Sequence, residues 1–354
     1  MKIIFVVSAL HGGGAERVIV TLANHFARLD DEVTILMTAG EESVYALHPD
    51  VRLLSIGQPS QGNPLVQIRR LLRMRRYFRR HRDSRIVSFS TSINLFTIVA
   101  ALGLKNRVIV SERNDPQRCS YPKLRNLIYR LCQGFVFQTE QARDCFPEKI
   151  RSRGIVIPNP VRKDLPEPSS GQREKKIAAV GRLEPQKNHM LLLEAFAGFR
   201  RRFPDYTLHL FGKGSLEQML RERAAALKIE DQVIFEGFRS DILEKIKTYG
   251  MYVLSSDYEG ISNSLMEAMA MGLPCISTDC PIGGSAMCIR DREDGLLVPV
   301  GDAARLQAAM EQMAEDAGFA AHMGENAARI RERFAEEAVA SSWRDYIDGS
   351  GMME

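Results

Sequence analysis

The sequence predicts an α/β protein made of two doubly wound domains, each a parallel sheet covered by helices on both faces. Three observations carry that expectation. Along the first half, short apolar runs alternate with helical stretches, the βαβ progression from which parallel sheets are built. Residues 163–173 (Lys-Asp-Leu-Pro-Glu-Pro-Ser-Ser-Gly-Gln-Arg) then interrupt the alternation with the Pro, Ser and Gly of a linker. A second alternating series starts at Lys176, and 354 residues are more than one ordinary core accommodates.

Taken in order, residues 2–8 (Lys-Ile-Ile-Phe-Val-Val-Ser) are an apolar run far too short to cross a membrane, so they read as a buried first strand. Further strands of the first half fall at 32–38, 51–56, 85–90, 108–111 and 134–138, where Val, Ile and Phe gather. Helices fill 15–29, 64–82, 95–102, 121–132 and 139–146. Within 67–82, Ile68, Leu71, Leu72, Arg75 and Phe78 space as one stripe of an amphipathic helix. In the second half, strands are expected at 176–181, 207–212, 233–237, 251–255, 274–278 and 295–300. Helices are expected at 188–202, 216–227, 242–247, 263–271, 303–314 and 319–334. A last helix, 336–347, carries Trp343, Tyr346 and Ile347 as apolar anchors. No stretch reaches the roughly 18 apolar residues of a membrane span.

Hydrophobic residues at 45% and charged residues at 26% are ordinary for a soluble globular protein. The net charge of +4 conceals an asymmetry: residues 1–165 hold 26 Lys and Arg against 14 Asp and Glu, the remainder 22 against 30. The first half is therefore expected to face something anionic. Eight arginines crowd into 67–82 with no acid among them. Such a helix can lie on anionic lipid or hold a diphosphate, with Arg69, Arg70, Arg73, Arg76 and Arg80 as the candidate contacts. Nucleic acid is a third possible partner of an Arg-rich face, but no interleaved aromatics or nucleic-acid motif support it. The six cysteines (119, 132, 145, 275, 280 and 288) make no Cys-x-x-Cys pair and adjoin no histidine cluster. They point to reduced structural thiols, a cytoplasmic setting and no metal site.

The densest chemical signal is Glu259-Gly-Ile-Ser-Asn-Ser-Leu-Met-Glu267, followed by Ala-Met-Ala-Met-Gly-Leu-Pro274. Two carboxylates stand eight positions apart across a turn from strand into helix. The backbone from Gly260 through Ile261, Ser262, Asn263, Ser264 and Leu265 would form the helix N-terminus, with Asn or Ser as cap, and such an end binds phosphate. Glu259 and Glu267 would accept polyol hydroxyls. A backbone-bound phosphate beside hydroxyls held by acids describes a sugar nucleotide. Arg182 and Lys187, on the loop of Val180-Gly-Arg-Leu-Glu-Pro-Gln-Lys187, suit a diphosphate; two solvated surface charges are the bland alternative. His11-Gly-Gly-Gly-Ala-Glu-Arg17 lets backbone approach a ligand, although a tight strand–helix turn needs the same residues. Ser111-Glu-Arg-Asn-Asp-Pro116 is either a set of substrate contacts or a capped turn. Phe211-Gly-Lys-Gly-Ser-Leu-Glu217 and Glu236-Gly-Phe-Arg-Ser-Asp241 are two more strand-end turns.

The run from Glu259 to Glu267, with Gly260, Gly272 and Pro274 in place, resembles the Glu-x7-Glu motif of retaining glycosyltransferases of family 4; Ser262 stands where many members have proline. Gly181-Arg182-Leu183 followed by Lys187 is similar to a second motif of that family, and the resemblance spans nearly the whole chain. It implies the GT-B fold, two Rossmann-like domains facing a central cleft with the last helix crossing back to the first. The implied domains are 1–162, on the acceptor and membrane side with 336–354 packed back on it, and 173–335, which binds UDP-sugar. It implies that Arg182 and Lys187 hold the diphosphate and that Glu259 and Glu267 hold donor-sugar and ribose hydroxyls, with Glu259, Arg182 and Lys187 catalytic. Gly13, Gly14 and Glu16 would line the donor site, and Gly212, Phe238 and Arg239 the base pocket. Glu112, Arg113 and Asn114 would touch donor sugar or acceptor, Arg113 standing where many relatives have histidine. The look-alikes are bacterial enzymes that extend polyprenyl diphosphate-linked oligosaccharides. The implied reaction is transfer of a hexose or N-acetylhexosamine, N-acetylgalactosamine first among them, from a UDP-sugar to such an acceptor. It would proceed without cofactor or metal, at the inner face of the cytoplasmic membrane. Two other readings stay open here: a GT-B sugar-nucleotide epimerase, which would need no lipid, and a non-catalytic, membrane-associated sugar-nucleotide-binding protein.

Overall fold

A computed structural model of the protein describes residues 1–57, 63–169 and 171–349. Ser170 of the expected linker and residues 350–354 of the expected C-terminal packing segment lie outside them. The chain divides into two compact units, Met1–Pro160 together with the C-terminal segment from Glu336, and Val161–Ala335.

The first unit runs β1 (Lys2–Val7), α1 (Gly14–Ala27), β2 (Glu32–Met37), β3 (Arg52–Ser55), α2 (Pro64–Arg80), β4 (Arg85–Phe89), α3 (Thr91–Ala101), β5 (Arg107–Ser111), α4 (Pro122–Tyr129), β6 (Gly134–Phe137), α5 (Glu140–Asp144), α6 (Glu148–Arg151) and β7 (Gly154–Val156). Its seven strands pair in parallel in the order β3-β2-β1-β4-β5-β6-β7. Strands such as β1 and β2 are buried on both faces, which is why they read as unbroken apolar runs. Strand order reverses between β1 and β4, and doubly wound sheets bind ligand beside the carboxyl ends at such a switch. Phe5, Phe26 and Trp343 belong to the core on one face; Met74, Phe78, Tyr129 and Phe137 to the core on the other.

The second unit repeats the plan. It contains β8 (Glu174–Val180), α7 (His189–Phe199), β9 (Thr207–Phe211), α8 (Glu217–Ala226), β10 (Val233–Gly237), α9 (Ile242–Ile246), β11 (Tyr249–Leu254), α10 (Asn263–Ala270), β12 (Cys275–Thr278), α11 (Gly284–Cys288), β13 (Leu296–Val298), α12 (Ala303–Glu315), α13 (Ala317–Ala327) and α14 (Ile330–Arg333). The sheet is six-stranded and parallel, in the order β10-β9-β8-β11-β12-β13, with its own switch between β8 and β11. The final helix, α15 (Glu336–Asp348), packs on the first unit: Trp343 stacks on Phe89 at 5.4 Å, Tyr346 Oη accepts from Phe135 N at 2.9 Å, and Arg344 Nε donates to Asp31 at 3.0 Å.

Two expectations are corrected. The buried residues of α2 are Arg70, Met74 and Phe78, an i, i+4, i+8 ridge, whereas Ile68 and Leu72 of the expected stripe stand 54% and 58% exposed. The single helix expected over 319–334 is two, α13 capped by the Asp316 carboxylate on Phe319 N (2.8 Å) and α14 after a break at 328–329. No Gly or Pro marks that break in the sequence.

Candidate functional site

In the second unit the loops at the carboxyl ends of β8, β9, β10 and β11 are zipped together. Gly212, at φ +136°, needs to be glycine, because a Cβ there would lie 2.0 Å from the Gly181 carbonyl. Its N–H donates to Gly237 O at 2.8 Å. The loop between β8 and α7 is fastened to the loop after β11 by bonds that include Asp257 N to Gln186 O (2.9 Å), Gln186 Nε2 to Tyr258 O (3.0 Å), Asn188 Nδ2 to Asp257 Oδ1 (2.6 Å) and Ser255 Oγ to Lys187 O (2.9 Å). Asn188 itself is left-handed (φ +42°) and caps α7 by accepting from Leu191 N, a role open to a short polar side chain.

This fastening brings two of the expected residues together. Lys187 Nζ donates to Glu259 Oε1, which also accepts from Ser256 Oγ at 2.9 Å, and Glu259 is only 7% exposed. Beyond Glu259 the chain enters α10 at Ser262, whose side chain makes no cap bond and turns to Ser264 Oγ at 3.1 Å. The cap is thus made by backbone alone, and the Asn-or-Ser side-chain cap expected from sequence is not there. The turn is held from outside by Gly284, where a Cβ would meet Gly260 O at 1.7 Å. Glu267, 7% exposed, lies 3.9 Å from Arg162. Arg182 is exposed; its carbonyl accepts from Glu184 N at 2.8 Å, while its side chain has neither a hydrogen bond nor an ion pair among the described residues. Phe238, 68% exposed, leaves the end of β10 beside Arg239, whose guanidinium is bound to Asp241 at 2.7 and 2.8 Å. His189 opens α7 just past Lys187; burial first, and then the Lys187 charge, push it down to about 4, so it is neutral at physiological pH.

In the first unit several expected contacts have other work. Glu16 Oε2 accepts from Gly12 N (2.9 Å) and Gly13 N (3.0 Å), the Glu half of a capping box at the head of α1, the other half needing a side chain that Gly13 lacks. The Gly13 N–H expected to meet a phosphate is therefore occupied, and Glu16 is a cap; Gly14 is the first residue of the helix. Glu112 is 5% exposed and takes hydrogen bonds from Tyr129 Oη and from Thr91 Oγ1 (3.0 Å). Its burial raises the carboxyl above the usual range, so the free acid expected at a substrate is a buried network member. Arg113, the next residue past the end of β5, takes other partners. It stacks over Phe89 at 4.5 Å and donates to Asn159 Oδ1 (2.6 Å) and Ser111 Oγ (3.3 Å). It has no carboxylate partner among the described residues, and its crowded guanidinium is pushed down to about 9 by burial, still a cation at neutral pH. Asn114 is exposed and accepts from Asp115 N at 2.9 Å.

The arginines of α2 divide. Arg70 is buried, at 8% exposure, against Gly57, and cannot lie on a lipid surface as expected. Arg75 caps the end of α3 through Ala100 O and Leu102 O. Arg73, Arg76 and Arg80 line an open groove of about 290 Å³ with Ser55, Ile56 and Tyr77, and Arg69 is exposed. Among the described residues, no group of three or more His, Cys, Asp or Glu could hold a metal ion. The zipper of Gln186, Asn188 and Asp257 and the network of Thr91, Asn94 and Tyr129 escaped the sequence reading. Only Asn188, a good cap ahead of an apolar run, left a local signal.

Family models match the chain over most of its length, one described as Glycosyl transferases group 1 over residues 161–330 and one as Glycosyltransferase Family 4 over residues 12–165. The chain belongs to glycosyltransferase family 4. The enzyme is 27% identical, over 98% of both chains, to a Campylobacter jejuni α-1,4-N-acetyl-D-galactosaminyltransferase named for a GalNAc-GalNAc-diNAcBac-PP-undecaprenol acceptor. It is also 27% identical, over 88% of its own length and 90% of the relative's, to an N-acetylgalactosaminyltransferase of the same organism named for a diphospho-undecaprenol acceptor. Its fold matches Anabaena HepE, solved with UDP and glucose, at a TM-score of 0.82 (19% identity, 98% and 99% of the two chains). The match to Staphylococcus aureus TarM, solved with UDP among its ligands, has the same score (14% identity, 98% and 100%). Both units thus carry the GT-B arrangement of parallel, Rossmann-like sheets.

Proposed function

We propose that the protein is a retaining transferase that moves a hexose or N-acetylhexosamine, N-acetylgalactosamine first among them, from a UDP-sugar to a polyprenyl diphosphate-linked oligosaccharide. One observation carries the donor half: Lys187 and Glu259 meet side chain to side chain at the head of α10, where no side chain caps the helix and Glu267 stands eight residues on. A diphosphate at this helix end would draw on Lys187 and Arg182, leaving Glu259 for the donor sugar's hydroxyls and Glu267 for those of the ribose. Phe238 offers the uracil an aromatic face, with Arg239 beside it. The acceptor half is supported by the Campylobacter relatives' named acceptors and by Arg69, Arg73, Arg76 and Arg80 on α2, which suit a lipid diphosphate at an anionic membrane surface on the cytoplasmic side.

In the reaction so read, the bond from sugar C1 to the β-phosphate oxygen breaks and the acceptor oxygen bonds C1 on the same face. The acceptor's hydroxyl proton passes to the leaving phosphate. No protein base is required, in keeping with Glu112 being buried in its own network. Arg182 and Lys187 meet the charge on the departing diphosphate, the task a divalent ion has elsewhere. An epimerase would give no reason for the arginines of α2, and the relatives named above are transferases.

A thermal-unfolding panel of UDP, UDP-hexoses, UDP-N-acetylhexosamines, GDP-mannose and NAD tests the donor half. A ligand at a hundred times its Kd adds about 2.7 kcal/mol, so UDP and one UDP-sugar should raise Tm measurably. Lys187→Ala or Arg182→Ala should cut turnover about 10²-fold or more. Stabilisation by GDP-mannose or NAD alone would overturn the UDP reading, and UDP-sugar binding without any transfer would favour the non-catalytic alternative.

A further inference from the structure

Large apolar side chains are not spread evenly over this surface. Of the fourteen that stand exposed among the described residues, nine lie on α2, α3, α4 and the turns beside them. The three helices are neighbours on one face of the first sheet, α3 packing against both α2 and α4. Leu124 (52% exposed) and Leu127 (60%) on α4, with Leu131 (50%) in the turn that follows, space as one outward stripe; Tyr121 lies just before the helix. On α3, Val99 and Leu102 are exposed as well. These leucines are as apolar as the core beneath them and cover nothing.

The charge around them has one sign. Residues 63–131 contain sixteen Lys and Arg, of which Arg70 and Arg125 are buried, but three acids, of which Glu112 and Asp115 are buried, leaving Asp83 as the exposed carboxylate of the segment. An apolar centre with a cationic surround fits an anionic bilayer, the leucines entering the acyl boundary and the bases meeting headgroup phosphates. A second copy of this chain fits poorly, since a two-fold interface on this face would set like charges against like. A nucleic acid would gain nothing from exposed leucines, because its bases stack on aromatic rings.

We infer that the α3–α4 face is the surface by which this protein docks on an anionic phospholipid membrane, with Leu124, Leu127 and Leu131 inserted among the lipid chains. This extends the reading of the protein as a transferase of lipid-linked glycans. It moves the point of insertion from α2, whose arginines are left for phosphates, to α4.

The test is flotation of the full chain with vesicles of phosphatidylglycerol and phosphatidylethanolamine, against vesicles of phosphatidylcholine. The wild type should float with the anionic vesicles alone. Leu124→Ser/Leu127→Ser should lower the partition coefficient roughly 30-fold, while protection against unfolding by UDP stays at the wild-type level. Because Trp343 is fully buried, Leu127→Trp adds a surface reporter whose emission should shift to the blue on anionic vesicles. Flotation of the double variant equal to wild type, or no shift from Leu127→Trp, overturns the inference. So does a wild type that is dimeric in solution, does not float, and becomes monomeric on the double substitution. Failure of UDP to protect any form, with flotation as expected, would instead count against the transferase reading and leave the docking face standing.

Discussion

Glu112 and Arg113 are adjacent in sequence and look like a self-neutralising pair. Both lie just past the end of β5, and there their side chains take different partners. Glu112 goes to Tyr129 and Thr91, and Arg113 goes to Phe89, Asn159 and Ser111. A crowded guanidinium with hydrogen bonds but no carboxylate is a charge without compensation, and it is tolerated where a ligand supplies the opposite sign. Arg113 is therefore expected to receive a phosphate oxygen of a substrate. Arg113→Gln should lower kcat/KM about tenfold or more with a diphosphate-linked acceptor, Arg113→Lys should recover part of it, and Tm should hold or rise. A raised acceptor KM with undiminished UDP protection would assign the phosphate to the acceptor; weakened UDP protection would assign it to the donor. Wild-type turnover of Arg113→Gln would reduce the residue to a structural stack. Glu16 teaches the same lesson from the other side: three residues after a glycine cap it has the spacing of the Glu of a capping box, and its carboxylate folds back on the Gly12 and Gly13 N–H groups.

The elements were legible wherever burial is two-sided. The buried central strands such as β1, β2, β4 and β5 announce themselves as apolar runs, because a parallel strand covered on both faces has no polar period to confuse, whereas the short, half-buried edge strand β7 is missing from the expected strands. Helix α2 was legible as a helix but not as to its inward face: Ile68 and Leu72 are as apolar as Met74 and Phe78, and only tertiary packing decides which are covered. The site shows the same limit, since Lys187, Glu259 and Glu267 could be picked out singly while the bonds among residues 186–188 and 256–259 could not. Helix α7 adds a consequence that pH can read. His189 is its first residue, 4% exposed, with Nδ1 unpartnered among the described residues and Lys187 two positions away. Burial, and then the Lys187 charge, disfavour the imidazolium, so the folded imidazole titrates at about 4 against 6.5 when unfolded. Its folded pKa is depressed, so the folded protein binds fewer protons than the unfolded chain between these values. The stability it carries is complete above pH 6.5 and is lost as pH falls toward 4, by roughly 3 kcal/mol. His189→Leu should therefore gain on the wild type by about that amount across the window in denaturant melts. A difference between the two proteins that does not change with pH would mean that His189 is protonated, or accessible to water, in the fold.

At the scale of the whole molecule, the chain returns to its first unit after completing the second. The return is more than a tail laid on a surface. Trp343, Tyr346 and Ile347 are buried to 2% or less, and Trp343 stacks on Phe89, the ring that Arg113 also covers. The C-terminal helix therefore completes the first unit's core, meeting the end of β4 at Phe89 and the starts of β5 and β6 at Arg107 and Phe135, and a fault in it should be felt in one unit, because each unit has hydrophobic clusters of its own. Trp343→Ala removes a fully buried ring and should cost about 3–5 kcal/mol. Trp343→Phe should cost clearly less, since it keeps most of the packing and deletes an indole N–H that has no partner among the described residues. Hydrogen exchange gives the decisive comparison. In Trp343→Ala the amides of β1, β4 and β5 should lose protection while those of β8, β9 and β11 keep theirs, and UDP should still slow exchange around α10. If protection falls equally in both sheets, the two units unfold as one and the C-terminal helix holds the entire chain; if it falls in neither, the contact with Phe89 contributes little to the first core.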